Sequence, residues 1–171
     1  MKVLSLFIGL FVTIFCNAQT EQEESIDSLR PPTLFGQIAP EYPVLQWINK
    51  ECKTSNGKLT LLYFWSVRNP MAAYVDIPRF NKFVKEFGDQ LNIIGLSPDS
   101  PEFITDIEPT LEFPYAYAPE AFTNFGIKIF GYCYILDPQG IVIYEGFPLL
   151  EGETITEKLL KKLIRKHYKR K

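Results

Sequence analysis

Short apolar runs separated by turn-forming residues recur along the chain. Residues 59–65, 91–96, 132–136 and 141–144 are each bounded by Gly, Pro, Asp or Ser, the pattern of strands buried within a sheet. Between the last two, Asp137-Pro138-Gln139-Gly140 is a turn in which Pro presets φ and Gly admits a positive one. Those two strands are therefore expected to form an antiparallel hairpin. From Pro70 onward, Ile77, Phe80, Phe83, Val84 and Phe87 fall on one stripe of a helix. Asn69 is placed to cap its start, Pro70 suits the first helical position and Gly88 ends it. Ser100-Pro101 opens a second, shorter helix through Ile107. A further strand is expected over 113–117 and a helical turn or two over 119–125. The last helix, over 154–168, buries Ile155, Leu159, Leu160, Leu163 and Ile164 on one side. Strands and helices alternate before a closing hairpin and helix, so the predicted fold class is an α/β sandwich. Its central mixed sheet has a parallel core and an antiparallel edge, and helices flank it.

The two ends follow different patterns. Met1-Lys2, the apolar run Val3 to Phe15 and Cys16-Asn17-Ala18 read as the basic start, hydrophobic middle and small-residue cleavage site of a signal peptide over residues 1–18. The apolar run is too short to cross a hydrocarbon core of about 30 Å as a helix. The expected location is extracytoplasmic, in a periplasm. Acylation at Cys16 is the minor alternative, disfavoured by the bulky Phe15 before it. Residues 19–32 are polar and acidic and end in Pro31-Pro32, which predicts a flexible leader. The domain then runs over 33–168, with a basic tail at 169–171.

Composition narrows the function classes. With 46% hydrophobic and 22% charged residues in 171, the chain is globular and of single-domain size. A formal net charge of −2 does not imply nucleic acid. Charge is uneven, however. Glu21, Glu23, Glu24 and Asp27 lie near the start, and Lys161, Lys162, Arg165, Lys166, Lys169, Arg170 and Lys171 near the end. That end is read as a solvated face, with contact to an anionic membrane as the alternative. One histidine, His167, and no paired cysteines give no metal site, and scattered glycines give no phosphate loop. No cofactor is implied.

Several stretches, taken in order, resemble exported thioredoxin-like proteins of the redoxin and thiol–disulfide oxidoreductase group. Phe35-Gly36-Gln37-Ile38-Ala39-Pro40 resembles that group's Gly-x-x-Ala-Pro opening. Gly57-Lys58 leading into Tyr63-Phe64-Trp65 resembles its entry to the first central strand. Phe125-Gly126-Ile127 and Tyr134-Ile135-Leu136-Asp137-Pro138-Gln139-Gly140 resemble the late strand and hairpin. The resemblance implies a Cys-x-x-Cys motif just after Phe64-Trp65, at a helix start where unpaired amides and the helix dipole stabilise a thiolate. This chain has Ser66-Val67-Arg68-Asn69-Pro70-Met71-Ala72-Ala73 there. The ungapped match sets Asn69 and Ala72 at the cysteine positions, and one inserted residue sets Pro70 and Ala73 there instead. Neither register supplies a thiol. The resemblance also implies a cis-proline before the late strand, where this chain has Gly131. A cis bond before a non-proline residue costs about 2.5 to 4 kcal/mol.

Two thiols remain as fallbacks. Cys133 lies two residues after Gly131 on the expected strand, hence on the same side, and is read first as a core residue. Cys52 sits in the polar run Asn49 to Lys53 and is the more exposed candidate. Ser66 has no base beside it and is not a nucleophile candidate. Trp65, Arg68, Asn69, Phe130, Gly131 and Tyr132 gather where the vacated site would lie, and aromatics there suit stacking on a peptide. The functional reading is a redox-inactive module that binds a protein or peptide partner at that groove. Its alternative is a thiol–disulfide oxidoreductase or thiol peroxidase-like protein working through Cys133 or Cys52.

Overall fold

The computed structural model describes residues 26–54, 57–104 and 110–168. The expected signal peptide with Cys16, Glu21, Glu23, Glu24, the second helix beyond Ile104 as far as residue 109, and the tail at 169–171 lie outside the described residues.

Six strands form one sheet: β1 (Gln46–Trp47), β2 (Leu59–Phe64), β3 (Leu91–Ser97), β4 (Tyr115–Tyr117), β5 (Tyr132–Leu136) and β6 (Val142–Gly146), in the spatial order β1-β4-β3-β2-β5-β6. β2 and β3 run parallel in the register Leu59↔Leu91 to Phe64↔Leu96, and β3 and β4 are also parallel. β5 lies antiparallel on the other side of β2, pairing Phe64 with Tyr132 and Tyr63 with Cys133, and β6 closes the hairpin. The central mixed sheet with a parallel core and an antiparallel edge is thus the predicted architecture.

Every residue of β2, β3 and β5 is buried, because both faces of the sheet are covered. Leu61, Tyr63, Trp65, Ile93, Cys133 and Ile135 pack on one face, against α2 (Ile77–Phe87) and α5 (Glu157–His167). Leu62, Phe64, Ile94, Leu96 and Tyr134 pack on the other, against α4 (Pro119–Asn124) and the chain's early segment. This alternation follows from the two-residue period of a strand.

Some elements depart from expectation. β1 was not foreseen: its two residues pair antiparallel with β4 at the sheet edge, too short a span to carry a period. The last helix begins at Glu157 rather than 154, because Thr156 is extended and its Oγ1 accepts the Leu159 N–H at 3.1 Å. The last residues of the expected leader fall among the described ones. α1 (Ile26–Leu29) is one turn of helix, and the Arg30 guanidinium pairs with Glu153 at 2.6 Å. α3 (Pro101–Ile104) opens at Pro101, as Ser100-Pro101 predicts.

The long helix contains a second departure. Its first part, Ala72–Asp76, is a π-turn in which the Ile77 N–H bonds to Ala72 O, five residues back. Pro78, which lacks an N–H and would crowd the preceding turn of a regular helix, stands directly after it. The widened turn accommodates that proline.

Gly95 in β3 is a close-packing position: a Cβ there would lie 2.8 Å from Trp65 Nε1 and 3.2 Å from Phe113 Cε2. Gly95→Ala is expected to destabilise the protein by about 1 to 3 kcal/mol, through displacement of the Trp65 indole. Chemical denaturation followed by tryptophan fluorescence measures it, and an unchanged midpoint would show that the indole moves freely.

Candidate functional site

The carboxyl end of β2 delivers the chain into a tight turn. Trp65 N–H continues the ladder to Leu96 O at 3.0 Å, and Asn69 N–H returns to Ser66 O at 3.0 Å. The turn is held from below by Asp99, a nearly buried residue whose Oδ2 accepts the Val67 N–H at 2.9 Å and the Ser97 hydroxyl at 3.2 Å. Ser66 is fully buried, and its Oγ accepts the Arg68 N–H at 3.1 Å, a structural use of the hydroxyl. Asn69 then caps the helix: its Oδ1 accepts the Met71 N–H at 3.1 Å while its carbonyl accepts from Ala72.

Facing this turn is the loop before β5. Gly131 is buried with φ +95°, a left-handed conformation that a proline ring, fixed near −65°, cannot adopt. Its N–H donates to Phe64 O at 2.7 Å, which pins the loop to the end of β2. A Cβ added at Gly131 would meet Asn69 Nδ2 at 3.4 Å, so the two positions matched to family functional residues face each other.

Between them opens a cleft of about 310 Å³, walled by Met71, Phe130, Phe147, Leu149 and Leu150, with Asn69 at its edge and Asp76 also lining it. The Phe147 wall is held by residues distant in sequence. Phe147 N–H donates to Glu153 Oε2 at 2.8 Å, and Arg30 both pairs with Glu153 and stacks over the Phe147 ring at 5.4 Å. Burial acts to raise the Glu153 carboxyl, but the hydrogen bonds from Arg30 and Phe147 outweigh it and hold it below its ordinary value.

Asp76 is the residue that sequence reasoning missed. It comes from the π-turn, is only 2% exposed, and accepts the Tyr63 hydroxyl on Oδ2 at 2.6 Å; its Oδ1 has no hydrogen-bond partner among the described residues. Burial raises its carboxyl pKa to about 6 against the opposing effects of the Tyr63 hydrogen bond and the Arg79 charge. Its one signal was position: Asp76 precedes Phe80 by four residues, on the apolar stripe.

The candidate residues separate into distinct places. Asn69, Phe130 and Gly131 line the cleft. Trp65 is buried in the core and borders a separate pocket of about 180 Å³ with Ser66 and Val67. Tyr132 is buried on the opposite face of the sheet, its ring 4.9 Å from Phe147 and 5.2 Å from Tyr134; burial, aided by Glu145, pushes its phenol up to about 12. Arg68 points to solvent, 3.9 Å from Asp99. Ala72 is buried under the helix start, while Pro70 is exposed and Ala73 half-buried.

The two thiols lie on opposite faces of the sheet. Cys133 is fully buried opposite Tyr63 on the neighbouring strand, with its pKa pushed up by burial and by Asp76. Cys52 is half-buried against the other core and raised by burial. Both are free, and the sheet between them precludes a bridge. Their burial disfavours the thiolate form that attacks disulfides or peroxides. Among the described residues no cluster of three or more His, Cys, Asp or Glu could hold a metal ion, and no helix is long and apolar enough to cross a membrane. On α5, Lys161 is engaged by Glu86 at 2.9 Å and by Glu157.

No protein-family model matches the chain, and no curated protein matches it. Solved structures do. A thiol–disulfide isomerase from Corynebacterium glutamicum superposes with a TM-score of 0.60 at 16% identity, over 85% of this chain and 99% of that one. A thioredoxin-like protein in its oxidised form gives 0.59 at 21% identity, over 81% and 98%. A 2-Cys peroxiredoxin from Plasmodium vivax gives 0.56 at 15% identity, over 78% and 81%. The fold is thioredoxin-like, as the ordered sequence motifs imply.

Two expected outcomes test the site's construction. Asn69→Ala is expected to cost about 0.5 to 2 kcal/mol by removing the cap, with Asn69→Asp retaining most of it; denaturation midpoints of the three proteins compare them. For Asp76, a folded pKa raised above the unfolded value means that its stabilising proton is held below pH 4 and lost as pH rises through about 6. Asp76→Asn is therefore expected to flatten the fall in stability between pH 4 and 6 and to stabilise the protein at pH 7.5 by about 1 to 3 kcal/mol. Urea titrations across that range check it, and an unchanged pH profile would contradict the assignment.

Proposed function

We propose that this protein is a redox-silent thioredoxin-like module of an extracytoplasmic compartment, which binds a protein or peptide through the cleft between Asn69 and Gly131. The observation that carries the reading is the composition of the helix start. The place where a thiolate would be stabilised by helix amides holds a capping asparagine and a buried alanine, so the dipole there serves no nucleophile. Of the remaining thiols Cys133 is fully buried and Cys52 half-buried, on opposite faces of the sheet, and both have raised pKa values, a poor arrangement for attack and resolution at one disulfide. An apolar cleft with few polar groups is a common form of binding site, and here it adjoins both altered positions. Export rests on the amino-terminal charge and hydropathy pattern. The Arg30–Glu153 pair is consistent with the end of the leader packing beside the cleft.

The competing oxidoreductase reading draws on the activities named for the structural neighbours. Reduction of a protein disulfide with excess reductant separates the two. The purified protein is expected to give no turnover above background. Turnover that disappears in a Cys52→Ser, Cys133→Ser double variant would establish the oxidoreductase. In parallel, partners recovered from the exported fraction are expected to be retained by the wild type and lost by Leu149→Arg, which sets a charge in the apolar wall. Equal retention would move the binding surface away from the cleft.

A further inference from the structure

We propose that the cleft takes a ligand carrying a primary ammonium group on an apolar body, with the ammonium hydrogen-bonded to Asp76 Oδ1 and the body against Phe130, Phe147 and Leu149. This rests on the reading of the cleft as a binding site and specifies what occupies it.

The first ground is the carboxylate. Asp76 is 2% exposed and lines the cleft, and only one of its two oxygens is used, by the Tyr63 hydroxyl at 2.6 Å. Oδ1 is buried without a partner among the described residues. A carboxylate in that state carries a desolvation penalty that a donor would relieve, and a buried charge is ordinarily paired. Accepting the Tyr63 hydroxyl alone would need no charge, because a neutral amide oxygen accepts the same bond.

The second ground is that, among the described residues, no internal counter-ion lies at hydrogen-bond distance from the Asp76 carboxylate. Arg79 lies three residues along and is close enough to influence Asp76, but its Nη1 donates to Pro148 O at 2.8 Å. Among the described residues the only hydrogen bond to the Asp76 carboxylate therefore comes from a neutral phenol, itself buried and raised by that burial and by Asp76. A ligand ammonium supplies both a proton donor and the missing positive charge, and their attraction is strengthened by the low-dielectric surroundings.

The third ground is the rest of the lining. Apart from Asp76 and Asn69, the cleft presents Met71, Ile129, Phe130, Phe147, Pro148, Leu149 and Leu150, so the remainder of a ligand must be apolar. An anionic ligand would be repelled by the Asp76 carboxylate, which no cation reaches at hydrogen-bond distance among the described residues. A neutral alcohol could donate to Oδ1 but would leave the charge unpaired.

The test uses three probes of equal chain length at pH 7.5: n-hexylammonium, 1-hexanol and hexanoate. Binding to the purified protein is followed by amide shifts of Gly131 and Phe147 in two-dimensional NMR. Hexylammonium is expected to saturate these shifts about tenfold more tightly than hexanol, as a charge-assisted bond exceeds a neutral one, with hexanoate weakest. In Asp76→Asn the ammonium preference is expected to vanish while hexanol binding persists. If that variant fails to fold, the ranking of the three probes on the wild type decides. Hexanol binding as tightly as hexylammonium, or a preference that survives in Asp76→Asn, overturns the ammonium assignment while leaving the cleft a binding site. No saturable shift with any probe also overturns the assignment, whereas the cleft's role toward a macromolecule is judged separately by retention of partners in Leu149→Arg.

Discussion

Strand β2 is the constraint on which everything else depends. It pairs with the parallel β3 on one side and the antiparallel β5 on the other, and each of its residues is buried. Its odd-numbered side chains build one core and its even-numbered ones the other. Both layers of the domain are thereby tied to one six-residue segment, and a slip of one residue would exchange the two sets of side chains. The same strand positions the candidate site. Phe64 O, at its last residue, accepts the Gly131 N–H, which brings the loop before β5 against the turn that leads into the long helix.

That junction of strand end, loop and helix start is where the candidate site lies. A helix start beside the end of a central strand presents unpaired amides in any protein of this architecture. In this chain one of them, Met71 N–H, is satisfied by Asn69, and Asp99 secures the turn that precedes it. The helix start is thus capped by its own sequence. Deeper, Asp76 Oδ1 is buried without a hydrogen-bond partner among the described residues, on a carboxylate that the π-turn brings to the cleft.

The fold was legible because its signals were long and periodic: the apolar runs of β2, β3 and β5 and the stripe from Ile77 to Phe87 each span several repeats. β1 escaped because two residues, one exposed and one half-buried, carry no repeat. The candidate site was legible only in part. Asn69 and Gly131 could be placed by their order relative to Phe64-Trp65 and to the late strand, and both reach the cleft. Trp65 and Tyr132 could not be assigned to a face of the site from their chemistry, since an aromatic serves a groove or a core equally well; both are buried. Asp76 and Asp99 were invisible for a different reason. A single acidic residue in a helix or a turn ordinarily faces water, and only the three-dimensional path of the chain encloses these two.

The clip formed by Arg30, Glu153 and Phe147 has a consequence for the order in which the molecule is assembled. Arg30 and Glu153 are separated by 123 positions, so the wall of the cleft is completed only when the two ends of the domain meet. Contacts of such long separation carry the greatest loop-closure entropy and tend to form after local structure. The leading segment of a chain emerging from synthesis has no Glu153 to engage until nearly all of the domain has followed. A finished cleft therefore reports that the whole domain has been made and folded, and a partner that recognises it would be reserved for complete molecules.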